Sequence, residues 1–151
     1  MDCATQTPLP DYYISRLCSQ LMGSGVFNAT LVSAPKTIRA YAHCGAGSEH
    51  AADLVVLLIN LGDEPARVQV ATSGSEDHSR DASHAKAARI EWHFTAGSDG
   101  LGGTGIRLRG VDLVWTPGQP LPAMPGRRVV DSGSVRVELA PQSIAFARLD
   151  G

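Results

Sequence analysis

Short segments in which apolar and polar residues alternate constrain the fold of this chain most strongly. TIRAYAHC (37–44), RIEWHF (89–94) and SVRVEL (134–139) each carry apolar residues at every second position. A period of two predicts half-buried β-strands. Further strands are predicted over 27–33, 66–71, 105–109, 111–115 and 143–149. Because 16 glycines and nine prolines punctuate these segments, the sequence predicts a mainly β protein built as an antiparallel β-sandwich.

One segment near the start has the period of a helix instead. In PLPDYYISRLCSQLMGSGVF (8–27), Pro10 and Asp11 provide starting residues, and we expect Gly23 and Gly25 to end the helix in a left-handed conformation. The apolar positions recur every three or four residues, at Ile14, Leu17, Cys18 and Leu21. The spacing predicts an amphipathic helix over 11–22, in which Tyr13 borders the apolar face and Tyr12 projects from the polar face.

The segment DLVVLLINLG (53–62) breaks the alternation, because residues 54–59 are all apolar. Such a run is expected in a strand that is covered on both faces. The helix is one candidate for this cover, and a domain outside the chain is another. The alternative is a central strand with loose patterning.

The sequence contains no pattern that predicts a metal or cofactor site. The three cysteines form no CxxC pair, and Cys18 is interpreted as a core residue of the helix. His78 and His84 lie in one of two predicted loops, 73–88 and 116–133, without further ligands at a metal-binding spacing. No cofactor is therefore predicted.

Charge and hydropathy exclude other classes of partner. The net charge of −2 favours neither nucleic acid nor an anionic membrane. No apolar stretch reaches the about 20 residues needed for a transmembrane helix, and the first 15 residues lack the pattern of a signal peptide. NAT at 28–30 matches a glycosylation acceptor at Asn28, which matters only in a secreted protein.

The residues also carry no recognisable catalytic motif. The sequence lacks GxSxG, HExxH and a phosphate-binding glycine loop. Acidic pairs such as Asp63 with Glu64 lie in predicted turns, where carboxylates are normally solvated. Two tryptophans, Trp92 and Trp115, are candidates for stacking on sugar rings, although Trp92 shares its strand face with Ile90 and Phe94 and is therefore interpreted as a core residue.

Several segments together resemble a known family. PLPDYYISRLCSQLMGSGVF, TIRAYAHC and DLVVLLINLGDEPARVQV, followed by EWHFT and GLGGTGIRLRGVDL and finally LAPQSIAFARL, are similar to the C-terminal part of heparanase and heparanase-like proteins, glycoside hydrolase family 79. The resemblance covers residues 8 to 149. It implies a β-sandwich packed beside a (β/α)8 barrel, and an enzyme that cleaves β-glucuronide linkages, in glycans such as heparan sulfate or arabinogalactan-type glycans, with retention.

The resemblance also implies what this chain lacks. The two catalytic glutamates of the family lie on the barrel, and no residue here matches their motifs, so no catalytic residue is assigned and the chain alone is expected to be inactive. Residues 1–26 would be a stub and the last barrel helix, and residues 27–151 the sandwich domain. The expected barrel contacts are Tyr12, Tyr13, Ile14, Leu17 and Leu21.

Two further expectations follow from the same resemblance. Cys44 is similar to a cysteine that many relatives pair with one near the C-terminus, and this chain has no such partner after it. Relatives of this kind are extracellular, lysosomal or vacuolar, or associated with membranes.

The sequence therefore supports three functions. The first is the non-catalytic sandwich segment of a heparanase-like glycoside hydrolase, whose partner is the missing barrel. The second is a carbohydrate-binding module with a glycan as its ligand. The third is a structural interaction domain that docks a partner through the helix.

Overall fold

A computed structural model describes residues 7–47, 53–71, 86–132 and 134–149. These described residues form one helix followed by ten strands. Their bounds are α1 Pro10–Leu21, β1 Met22–Phe27, β2 Ile38–Gly45, β3 Leu54–Asn60, β4 Ala66–Val70, β5 Lys86–Ala96, β6 Ile106–Leu108, β7 Val111–Asp112, β8 Arg127–Ser132, β9 Val135–Leu139 and β10 Ser143–Leu149. His78 and His84 lie outside the described residues.

The strands form two antiparallel sheets of unequal size. The large sheet has the order β1-β2-β3-β10-β5-β6-β7, and β8 pairs with the first half of β5. The small sheet contains β4 and β9. It packs on one face of the large sheet, and α1 packs on the other. The predicted fold class, an antiparallel β-sandwich preceded by one amphipathic helix, is confirmed.

The apolar run in 53–62 is explained by these three layers. In β3, Val55 and Leu57 join the core beneath α1, which we call the helix-side core. Val56 and Leu58 join the core beneath the small sheet, which we call the sandwich-side core. Because successive side chains of a strand point to opposite faces, a strand between two cores must be apolar at every position. The prediction of cover on both faces is confirmed.

The helix-side core is centred on an aromatic pair. Phe146 and Phe94 lie on the neighbouring strands β10 and β5, with ring centroids 6.4 Å apart and an interplanar angle of 83°. Such an edge-to-face pair contributes about 0.5–1.5 kcal/mol beyond the area it buries. Tyr13, Leu17 and Leu21 of α1 pack on the same core, so the helix and the large sheet share one hydrophobic interior.

The end of the helix differs from the prediction. Met22 follows the helix with φ −95° and ψ 125°, and the chain enters β1 directly. Gly23 and Gly25 lie inside that strand rather than in a left-handed cap. A Cβ at Gly23 would lie 2.7 Å from Cys44 Sγ, so these glycines allow β1 to approach β2 closely.

Several strand boundaries also differ. The predicted strand over 27–33 is wrong, because β1 ends at Phe27. The strand predicted over 111–115 contains only Val111–Asp112. The predicted loop over 116–133 contains β8, which pairs with β5 through backbone hydrogen bonds despite its two arginines and one aspartate. The predicted loop over 73–88 overlaps the first three residues of β5, 86–88, and residues 73–85 lie outside the described residues.

Candidate functional site

Helix α1 packs on the large sheet through a narrow row of buried apolar side chains. Tyr13, Leu17 and Leu21 recur at intervals of four residues and are all buried. A spacing of four places them one above another on a single face. Burial of Tyr13 raises the pKa of its phenol. Three of the five residues expected to contact a barrel therefore fill this chain's own core.

The other two expected contact residues lie beside that stripe. Tyr12 and Ile14 are half-buried, and the Tyr12 ring meets Tyr13 edge-on at 6.5 Å between centroids. The side chains of Ser15, Arg16, Ser19 and Gln20 are exposed. The outward arc of the helix is therefore polar, while Ile14 packs partly buried at the edge of the helix-side core.

An apolar groove opens next to Ile14. It has a volume of about 360 Å³ and lies between the first turns of α1 and the loop 97–105. Phe94, Ile106 and Ile144 form its apolar floor. We call it the helix-side groove. Its lining offers an apolar surface to a partner, with few polar groups to hold a charged ligand.

The loop beside the groove is braced by one carboxylate. Asp99 Oδ2 accepts hydrogen bonds from the backbone N–H groups of Thr104 (2.7 Å) and Gly105 (3.3 Å). These backbone donors lower the pKa of Asp99. A Cβ at Gly103 would lie 2.0 Å from the Asp99 carboxylate, so a larger residue there would displace this carboxylate from its N–H donors. The braced loop presents Leu101 with 64% of its surface exposed.

A buried charge cluster lies on the opposite face of β5. Arg89 and Glu91 form an ion pair, and Arg89 Nη1 also lies 2.6 Å from Asp131 Oδ2. Its Nη2 donates to the Arg136 carbonyl at 2.5 Å, and His93 Nε2 lies 2.8 Å from Glu91 Oε2. Arg89 therefore joins β5, β8 and β9.

This cluster corrects the prediction for RIEWHF. The alternation assigned Glu91 to the polar face of a half-buried strand, but Glu91 is only 7% exposed. Burial acts to raise its pKa, yet the hydrogen bonds to His93 and Arg89 outweigh burial and lower it. The pKa of Asp131 is lowered chiefly by its hydrogen bond with Arg89.

The cluster is built for structure rather than for glycoside hydrolysis. A general acid of a glycosidase needs a raised pKa and access to substrate. Glu91 has neither, because its pKa is lowered and only 7% of its surface is exposed. No group of three or more metal-ligating side chains is present in the part of the chain that the structure describes.

The two tryptophans occupy different surroundings. Trp92 is 7% exposed and its Nε1 donates to the Met124 carbonyl at 2.9 Å, which confirms its interpretation as a core residue. Trp115 is half-buried, and its Nε1 donates to the Gln119 carbonyl at 2.9 Å. Only Trp115 keeps part of its ring accessible.

The remaining predicted residues are dispersed. Asn28 is exposed immediately after β1. Cys44 and Cys18 form no disulfide among the described residues. Cys44 Sγ accepts a hydrogen bond from the Gly25 N–H at 3.2 Å, and Cys18 packs against the helix-side core as predicted.

The one described helix is too short to cross a membrane.

Sequence patterns did not predict a role for Leu101 or the charge cluster of Arg89. The glycine-rich stretch 97–105 was the only available signal for the loop that carries Leu101.

Comparison of this architecture with solved structures shows another protein in which the fold occurs. A glycoside hydrolase family 30 subfamily 8 xylanase from Clostridium acetobutylicum superposes with a TM-score of 0.56 and 16% identity, over 99% of this chain and 30% of that one. At this identity the match shows the fold alone. A family 44 endoglucanase from Clostridium thermocellum aligns at a TM-score of 0.45 and 15% identity, over 78% of this chain and 18% of that one, which adds no further argument. The chain therefore has a β-sandwich fold that also occurs within a glycoside hydrolase.

Sequence comparison is more specific. The chain is 30% identical over 159 aligned residues to heparanase-like protein 3 from Arabidopsis thaliana, covering 95% of this chain and 28% of that protein. The resemblance to heparanase-like proteins is thereby confirmed. The chain spans less than a third of the length of this relative. No family model matches the chain.

Proposed function

We propose that this chain is the non-catalytic β-sandwich segment of a heparanase-like glycoside hydrolase, and that it packs on a catalytic barrel through α1 and the helix-side groove. The observation that carries the proposal is the arrangement of α1. The buried stripe of the helix covers the large sheet, while Tyr12 and Ile14 stay half-buried beside it and Ile14 lines the groove at the edge of the helix-side core.

Apolar surface remains accessible around the helix-side groove. Leu101 is exposed at the tip of a braced loop, and Ile14 faces the same groove. Exposed apolar side chains around a groove favour burial against another surface. The groove's apolar lining suits a packed protein interface better than a sulfated or carboxylated glycan, which requires basic side chains.

The activity belongs to the proposed barrel. We propose that the complete enzyme hydrolyses β-glucuronide linkages in glycans with retention, using two glutamates outside these 151 residues. The same proposal includes a location for the enzyme, which is extracellular, lysosomal or vacuolar, or associated with a membrane. It also includes glycosylation at Asn28. Asn28 is exposed and therefore accessible to modification.

A chimera tests the docking role. The chain replaces the aligned stretch of the Arabidopsis relative, and solubility and β-glucuronide hydrolysis are measured with and without Ile14→Asp. We expect Ile14→Asp to lower both, because the charge must be desolvated at the interface. The matched control is Ser19→Asp on the exposed arc of the same helix. Equal effects of the two substitutions in a soluble chimera would contradict the proposal.

Carbohydrate binding remains the second candidate, because Trp115 keeps part of its ring accessible. A glycan array probed with the purified chain tests it. Binding that disappears on Trp115→Ala and survives Trp92→Phe would favour a sugar-binding module over the sandwich segment.

A further inference from the structure

Strand β9 lies at one edge of the small sheet. Within the described ranges it pairs with β4 alone, so its other edge faces no strand. Its residues alternate between buried and exposed, and Val135, Val137 and Leu139 lie in the sandwich-side core. An alternating strand with a free edge is a template for pairing with another chain. The free edge of β9 is therefore a place where copies of this protein could associate.

Two side chains from the large sheet bond to the backbone of this edge. Arg89 Nη2 donates to the Arg136 carbonyl at 2.5 Å, and Asp131 Oδ2 accepts a hydrogen bond from the Arg136 N–H at 3.4 Å. The two side chains are also joined to each other, because Arg89 Nη1 lies 2.6 Å from Asp131 Oδ2. Together they offer Arg136 one donor and one acceptor, as the opposite residue of an antiparallel strand does. We call this arrangement the β9 cap.

Further contacts fix the position of the cap. The Arg89 side chain is 3% exposed, and its Nε forms an ion pair with Glu91. His93 Nε2 lies 2.8 Å from the other carboxylate oxygen of Glu91. A strand that paired with β9 would lie about 4.8 Å from it, in the space that the Arg89 guanidinium and the Asp131 carboxylate fill. Such a strand would have to displace both groups.

Stability alone does not explain why charged side chains occupy this place. Apolar side chains of similar volume often stabilise a protein as much as a buried ion pair, or more. Apolar side chains could not bond to the Arg136 backbone, however, and they would leave the free edge beside a hydrophobic surface. Only the charged groups both fill this space and satisfy the edge of β9.

We propose that the β9 cap keeps the free edge of β9 from pairing with a strand of another copy of this chain. The cap acts by occupying the backbone groups of Arg136 and the space that the second strand would need. Loss of the cap should therefore cause association even in a variant that remains folded. This inference does not depend on the proposed function.

The test variant is Arg89→Met with Glu91→Leu, which removes the donor to the Arg136 carbonyl and the partner that positions Asp131. The matched control is Arg67→Met with Glu138→Leu, an ion pair on the outer face of the same small sheet. Both variants lose one positive and one negative charge. The control exposes more apolar surface, because its two positions are 67% and 72% exposed. Sedimentation velocity at several protein concentrations measures association, and circular dichroism verifies folding.

We expect the control to associate no more than the wild-type chain, and the test variant to associate at least about tenfold more tightly than either. Adding Arg136→Pro to the test variant should reverse this association, because proline removes the outward N–H and leaves the ladder with β4 intact. Hydrogen exchange followed by NMR in dilute solution reports on the cap itself. The Arg136 amide should exchange at least about tenfold more slowly in the wild-type chain than in the test variant.

Three results would overturn the proposal. The first is an Arg136 amide that exchanges at the rate of an unstructured peptide in the wild-type chain, and this measurement decides alone if the test variant does not fold. The second is a folded test variant that associates no more than the control. The third is association that persists after Arg136→Pro, which would assign the contact to another surface.

Discussion

Removal of the Arg89 side chain should lower the free energy of unfolding far more than removal of an arginine from an exposed ion pair. The Arg89 side chain is 3% exposed and that of Glu91 is 10% exposed. In Arg89→Met, the carboxylate of Glu91 stays buried and keeps its contact with His93, while Glu91, Asp131 and the Arg136 carbonyl each lose the bond with Arg89. Breaking a buried ion pair from one side costs about 3–5 kcal/mol. We expect the free energy of unfolding to fall by about that amount.

The chain offers a matched control for this experiment. Arg67 lies 2.6 Å from Glu138, but the two side chains are 67% and 72% exposed. An exposed pair contributes about 0–1 kcal/mol, so Arg67→Met should change stability little. Both variants are compared by urea unfolding followed by circular dichroism, on the assumption of a two-state transition.

A double substitution separates the ion pair from simple packing. Arg89→Met with Glu91→Leu removes both charges, so it should be more stable than Arg89→Met alone, with a coupling energy of about 0.5–3 kcal/mol. Equal, small losses of unfolding free energy in Arg89→Met and Arg67→Met would contradict a stabilising role of the charge cluster. The same holds if the double variant loses the sum of the free energies that the two single substitutions cost.

Three further outcomes are expected. The folded pKa values of Glu91 and Asp131 are lowered, so their contribution to the free energy of unfolding is complete above the unfolded values of about 4 and is lost as pH falls through the folded values. Urea midpoints measured between pH 7 and pH 2 should therefore drop below about pH 4. The drop should be less steep in Glu91→Gln. Gly126→Ala should lift the segment before β8 from Trp92, since its Cβ would lie 2.6 Å from the indole ring, and tryptophan fluorescence should shift to longer wavelength. Leu17→Ala, at a side chain 3% exposed, should cost about 2–5 kcal/mol in urea unfolding, and a cost below about 0.5 kcal/mol would contradict packing of α1 on the sheet.

Sequence patterns predicted the elements whose period is regular. The helix was predicted because Ile14, Leu17 and Leu21 recur at its period, and the strands β2 and β9 because their polar residues face solvent. The double cover of β3 was also predictable, since a run of six apolar residues has no solvated face.

The patterns failed where tertiary contacts decide. Alternation states which residues share a face, but not what covers that face, so it assigns Glu91 to the polar face of a half-buried strand although Glu91 is 7% exposed and ion-paired with Arg89. Strand β8 was missed because its residues pair through the backbone with β5 and its side chains are mostly polar. The exposure of Leu101 depends on Asp99, two residues earlier, accepting N–H groups from residues 104 and 105, a contact that no periodicity encodes.

We propose that this chain supports a catalytic barrel and does not hydrolyse glycans itself, which an activity assay of the isolated chain can test. The purified 151-residue chain is incubated with a chromogenic β-glucuronide and with heparan sulfate, and released product is measured against a buffer blank. We predict no turnover above the blank, because the proposal places both catalytic glutamates on the barrel and assigns no catalytic residue to this chain. Turnover that co-purifies with the chain and is abolished by a single carboxylate substitution, such as Glu91→Gln or Asp99→Asn, would contradict the account.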